Sequence, residues 1–185
     1  MRRGALAAAL LAAALLAGCG GGATTDAPPT AEAPAPTTES ATAYLLETPE
    51  FSVGLPEAPT QDVQEIADLP GIAATTYSVA RPTYAVAVAV IDYPADLQLG
   101  EPTAVLEGAR DGAVGNVPGG VLQSSAPATV DGRPALDLVA SVEQGGTYRA
   151  RLVLDGQRLY QLITAGSEDR PAEHDAFAAS LRLLT

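Results

Sequence analysis

Through the second half of this chain, apolar residues fall on alternate positions, and in two places they fall on every third or fourth. The first spacing lines one face of a strand, the second one face of a helix. Leu136, Leu138, Ala140 and Val142 alternate within 134–143, and Tyr148, Ala150, Leu152 and Leu154 within 147–154, where Arg149 and Arg151 take the opposite side. Leu159, Gln161 and Ile163 alternate against Tyr160 and Leu162 in 158–164, and 121–130 precedes them. Between these runs stand Asp131-Gly132, Gln144-Gly145-Gly146 and Asp155-Gly156. Asp-Gly pairs favour two-residue hairpin turns, because glycine takes positive φ without penalty. The pattern predicts an antiparallel meander.

Upstream, 51–56 reads as an opening strand stopped by Pro56, and 61–67 as a second, weakly alternating one. Segments 75–80 and 84–91 form a hairpin across Arg81-Pro82-Thr83. Val86, Val88 and Val90 face one way and Ala85, Ala87 and Ala89 the other, so this strand is expected to be central and covered on both sides. Helical spacing puts Val105, Leu106, Ala109 and Ala113 on one stripe of 103–114. Gly108 and Gly112 weaken that helix unless they let it approach the alanine face closely. Asn116 to Gly120 closes it as a loop. A terminal helix starts at Pro171, with Ala176, Phe177, Ser180 and Leu181 as its expected buried stripe. The sum is an α+β domain over 44–185: an antiparallel sheet of about six to eight strands with two helices packed on it.

This order of elements resembles the PsbP-like fold, an α/β/α sandwich found in extrinsic photosystem II subunits, a Ran-binding import factor and uncharacterised bacterial lipoproteins. The residues that carry the likeness are Phe51-Ser52-Val53-Gly54-Leu55-Pro56, Asp131-Gly132-Arg133-Pro134-Ala135, Tyr148-Arg149-Ala150-Arg151-Leu152, Arg158-Leu159-Tyr160-Gln161-Leu162 and Phe177-Ala178-Ala179-Ser180-Leu181. They are packing and turn signatures. The resemblance implies a binding or assembly module and supplies no catalytic motif, and a fold by itself does not carry a function across.

The segment before the domain changes the picture. Arg2 and Arg3 precede the thirteen-residue apolar run 5–17, too short for the ~20 residues that span a bilayer and suited to a secretory leader over 1–18. Leu16-Ala17-Gly18-Cys19 resembles a lipobox, which implies cleavage before Cys19 and attachment of acyl chains, palmitate among them, to that cysteine. More than one chain, at ~0.8 kcal/mol per buried methylene, anchors stably. Residues 19–43 hold Gly, Ala, Thr, Pro and acids with no large apolar side chain, and read as a disordered linker. Gly20 lacks the aspartate that resembles an inner-membrane retention signal, so the expected site is the outer face of the cell membrane, or the outer membrane where there is one.

With Arg2 and Arg3 in the leader, the mature chain keeps eight basic residues against 22 acidic ones, a formal net charge of −14. There is no lysine. Such a chain lacks the basic footprint of a nucleic-acid binder. Cys19 is the only cysteine, so lipidation leaves no thiol for a disulfide or a metal.

Candidate chemistry is sparse. His174, the only histidine, lies between Glu173 and Asp175 and reads as solvated helix surface. Ser124 and Ser125 lack the glycine-flanked elbow of a hydrolase nucleophile. Glu168, Asp169, Glu173 and Asp175 suit the start of a helix better than a calcium loop. Arg149, Arg151 and Arg158 are the nearest thing to a positive interaction surface, with pairing to neighbouring acids as the plainer reading. No catalytic, cofactor or metal site is predicted. The expected function is a non-enzymatic, membrane-tethered interaction or assembly module of the cell envelope. The alternative is a carrier of an apolar or cationic small ligand, lined by Tyr84, Tyr148 and Tyr160.

Overall fold

Hairpins organise the domain, as the turn residues predict. The computed structural model describes residues 44–66 and 71–184; the leader, Cys19 and the linker lie outside them. Strands β1 (Tyr44–Glu47), β2 (Phe51–Leu55), β3 (Thr60–Glu65), β4 (Ala73–Ala80) and β5 (Tyr84–Asp92) precede helix α1 (Pro102–Gly115). Then come β6 (Val121–Val130), β7 (Arg133–Ser141), β8 (Thr147–Asp155), β9 (Arg158–Gly166), helix α2 (Pro171–Ala179) and β10 (Arg182–Leu183). Seven strands form one antiparallel sheet in the order β3-β4-β5-β9-β8-β7-β6, and three form a second, β1-β2-β10. The opening strand at Phe51 therefore belongs to the small sheet, whose outer members are too short to have shown in the pattern.

Two apolar layers hold these parts together. On one face of the large sheet, Leu106 of α1 packs with Leu136, Leu138, Tyr148, Ala150, Leu152, Leu154 and Leu159. On the other, Phe51, Val53 and Leu55 of the small sheet join Phe177 and Leu181 against Val86, Val88, Val90, Tyr160 and Leu162. Phe51 meets Tyr77 and Tyr160 edge-on, at centroid distances of 6.2 and 5.5 Å. The large sheet is thus sandwiched between α1 and the pair formed by α2 and the small sheet.

Two expectations for α1 need correction. The helix lies across β7 and β8, not on the alanine face of β5, because Ile72 and Ile91 fill space on that side of β5. A Cβ on Gly108 or Gly112 would meet nothing within 4 Å, so neither glycine serves close packing. The turns differ in detail too. Asp131 and Gly132 take φ of 49° and 77°, both positive, as a type I′ hairpin requires. The β8–β9 hairpin turns one residue later than predicted, on Gly156-Gln157. Asp155 is the last residue of β8 and pairs in register with Arg158.

β6 stands apart. It is exposed along almost its whole length, with Val121 57% and Leu122 38% accessible, and it carries no charged residue. Counting back from the Val130–Arg133 pair beside the turn, the alternation of an antiparallel ladder aims the Pro127 nitrogen away from β7. An outward proline, with the register shift between Leu122 and Ser124, blunts an edge against addition of another strand.

Candidate functional site

The register of the large sheet collects its charged side chains into two groups on the face covered by α2 and the small sheet. Asp137 of β7 stands opposite Arg151 of β8, and Arg149 stands opposite Thr164 of β9. Arg151 donates from Nε and Nη2 to the two Asp137 oxygens at 2.6 and 2.8 Å. Arg149 forks in the same way onto Asp169, in the connection between β9 and α2, at 2.6 and 2.7 Å. Such bidentate pairs are the strong form of the interaction. The Arg149 guanidinium holds the Asp169 carboxyl below the usual carboxylate range, while hydrogen bonding to Asp169 and to Asp137 raises the two arginines.

Arg158 belongs to the second group. It faces the same side as Arg151, whose partner on β9 is Leu162, but four residues along β9, or ~13 Å at the usual rise. There it pairs with Asp92 of β5, its cross-strand neighbour. Arg133 pairs with Asp155 at 2.8 Å, so Arg133, Asp155, Arg158 and Asp92 run across β7, β8, β9 and β5 with alternating sign. Beside this ladder lies a surface cleft of about 300 Å³ lined by Glu50, Asp92, Tyr93, Asp155, Arg158 and Tyr160. The three arginines are therefore not one patch. Two are tied down under and beside α2, and the third is tied into a charge ladder at the far end.

His174 is the largest departure from expectation. It is 5% exposed, not solvated surface, and its Nδ1 lies 3.0 Å from the Thr164 hydroxyl. Burial depresses it below the ordinary value of 6.5, with Arg151 and Arg149 acting in the same direction and Asp175 and Asp137 against it. The buried face of α2 is His174, Phe177 and Ala178, continued by Leu181. That is the i, i+3, i+4, i+7 stripe of a helix. Ala176, expected on the stripe, is exposed; its place on the buried face is taken by His174, whose ring is half apolar.

The acids do stand at the head of α2, with Glu173 in its first turn, but none of them caps it. The N-cap, Arg170, makes no side-chain capping bond, and Arg170 instead pairs with Glu168 at 2.7 Å and Glu173 at 3.4 Å. Its guanidinium stacks 4.5 Å above the Tyr84 ring, a cation–π contact. The hollow among Tyr84, Arg149, Thr164, Asp169 and Arg170 is about 10 Å³, room for one water. The other tyrosines diverge: Tyr148 lies in the α1 layer and Tyr160 in the opposite one. Burial pushes the Tyr148 phenol up to about 12. Ser124 and Ser125 are exposed on β6. Among the described residues, no group of three or more His, Cys, Asp or Glu side chains is placed to hold a metal, and no helix is long and apolar enough to cross a membrane.

No family model matches the chain, and no curated protein matches it. Solved structures do. The solution structure of cyanobacterial PsbP (CyanoP) from Synechocystis sp. PCC 6803 aligns over 80% of this chain and 96% of its own, at 16% identity and a TM-score of 0.54. The fold is PsbP-like. A protein of unknown function from Pseudomonas aeruginosa, PA94, described as a putative regulator, aligns over 61% of this chain and 85% of its own at 10% identity. Its TM-score of 0.39 is too low to fix a shared fold.

Proposed function

We propose that this chain is a lipoprotein, anchored through Cys19 to the outer face of a membrane, whose PsbP-like domain is a non-enzymatic interaction or assembly module of the cell envelope. One contrast carries the reading. The side chains able to do chemistry, His174 and Arg149, Arg151 and Arg158, are held by partners within the fold, whereas the long uncharged strand β6 is bare. A contact surface, not a reaction site, is what the domain offers to its surroundings. The outward Pro127 makes that contact one across the face of β6, around Val121 and Leu122, without strand addition. The leader, the lipobox resemblance and the linker support the anchoring, and a −14 mature charge keeps the rest solvated beside anionic lipid.

A small-ligand carrier is the weaker reading. Tyr84 and Tyr160 line separate hollows, the one beside α2 has room for a single water, and the open cleft at Tyr160 is lined by the charged Asp92, Asp155 and Arg158 rather than by an aromatic wall.

The test has two arms. Intact mass and membrane partitioning are compared between the native protein and Cys19→Ala: loss of acyl mass together with membrane association supports the anchor, and an unmodified, soluble native protein refutes it. A photo-crosslinking residue is then placed at Gln123 on β6 and, as a control, at Val63 on the opposite edge. A discrete adduct from position 123 and none from 63 supports the contact surface; equal, diffuse labelling from both sinks it.

A further inference from the structure

α2 is a short helix that depends on its tertiary contacts. It has nine residues and no side-chain N-cap, and a helix of that length is marginal in water without tertiary contacts. Its contacts are His174, Phe177 and Ala178 on its buried face, Leu181 just beyond, and the bond donated by the Gly54 amide to Ser180 Oγ at 2.9 Å. His174 is the one titratable group among these. It lies on the floor made by Thr164, next to both arginine forks, and Asp169, which holds Arg149, sits immediately before the helix.

We propose that α2 is an acid-sensitive latch: a proton on His174 loosens the helix from the sheet, draws Asp169 away from Arg149 and uncovers the Arg149–Arg151 strip of β8. Every element packed against α2 enters the balance. β8 presents Arg149 and Arg151, which oppose a third positive charge. β9 presents the uncharged Thr164 and Leu162, and β2 (Phe-Ser-Val-Gly-Leu) presents no titratable group. Asp137 of β7 and Asp175 of α2 favour the charge, but Asp137 is already engaged by Arg151 and Asp175 is exposed. Desolvation of the ring then decides the direction.

The sign follows from linkage. The native imidazole is held neutral below the unfolded value of 6.5. Its contribution to the docking of α2 is complete above that value and is lost as pH falls from there through the depressed native one. An open latch offers a guanidinium, Arg149, to an acidic partner that the closed domain excludes.

The experiment is backbone hydrogen exchange on the full-length chain, corrected for the intrinsic pH dependence of exchange. Between about pH 7.5 and about pH 5, protection of α2 amides is expected to fall at least roughly tenfold while β7, β8 and β9 hold theirs, and His174→Gln is expected to remove the pH dependence. Unchanged α2 protection, or the same loss in the variant, overturns the latch. Should the variant fail to fold, nuclear magnetic resonance titration of the native chain decides, since its sole histidine gives an unambiguous ring signal. A midpoint below 6.5, tracked by α2 amides, upholds the proposal, and a midpoint at or above 6.5, or still α2 amides, refutes it.

Discussion

Along β8, Tyr148, Ala150, Leu152 and Leu154 face α1 and are at most 6% exposed. The residues between them, Arg149 and Arg151, face the side where α2 lies, and their side chains are about one-fifth exposed. β7 repeats the contrast, with Leu136, Leu138 and Ala140 in the α1 layer and Asp137 beneath the other cover. One face is held by shape and apolar area, with the buried Tyr148 hydroxyl the polar side-chain group that β7 and β8 place there. The other mixes apolar packing with charges that stay only because each has its partner. Alternation of apolar and charged residues usually separates core from solvent; in this domain it separates a dry layer from a polar one, both under cover.

The sharpest way to break the comparison is on the dry face. Leu152 is fully buried, and Leu152→Ala is expected to lower stability by about 2–5 kcal/mol through lost contacts and a cavity. Denaturant unfolding checks this, and a cost below about 1 kcal/mol would show that the α1 layer is loosely packed.

On the polar face the two forks should differ. Asp137→Ala leaves Arg151 without its partner in the half-covered strip, at an expected cost of roughly 1–3 kcal/mol. Asp169→Ala breaks the more exposed fork and should cost roughly 0.2–1 kcal/mol, less still at high salt. Equal effects, or a salt-insensitive Asp169 variant, would contradict this ordering.

The smallest effect has the opposite sign. Gly108→Ala and Gly112→Ala in α1 meet open space and are each expected to raise stability by about 0.5–1 kcal/mol, seen as a higher Tm. A loss of stability from either would mean that the helix packs closer than its geometry shows.

Much of this architecture was legible residue by residue. The meander of β6 to β9 could be read because alternation and Asp-Gly turns are local signals. The two-strand additions at Tyr44 and Arg182 could not, since strands of four and two residues carry too few positions for a period. The candidate site was legible only as a set of residue names. The sequence names Arg149 and Arg151 and points to pairing with acids; which acids, and the separation of Arg158 from them, depend on register. His174 was misplaced because its neighbours Glu173 and Asp175 in sequence point elsewhere on the helix, while its neighbours at three, four and seven residues are apolar.

The sequence by itself determined the α+β class, the order of the meander hairpins and both helices, because each rests on periods or turn residues a few positions apart. The tertiary structure alone decided which sheet Phe51 joins, that α1 covers β7 and β8, that β6 lies bare, and that the only histidine is buried against Thr164. These outcomes depend on which strands become neighbours and what crosses above them. Pairing acts between residues as far apart as Asp92 and Arg158, a separation over which no local pattern carries information.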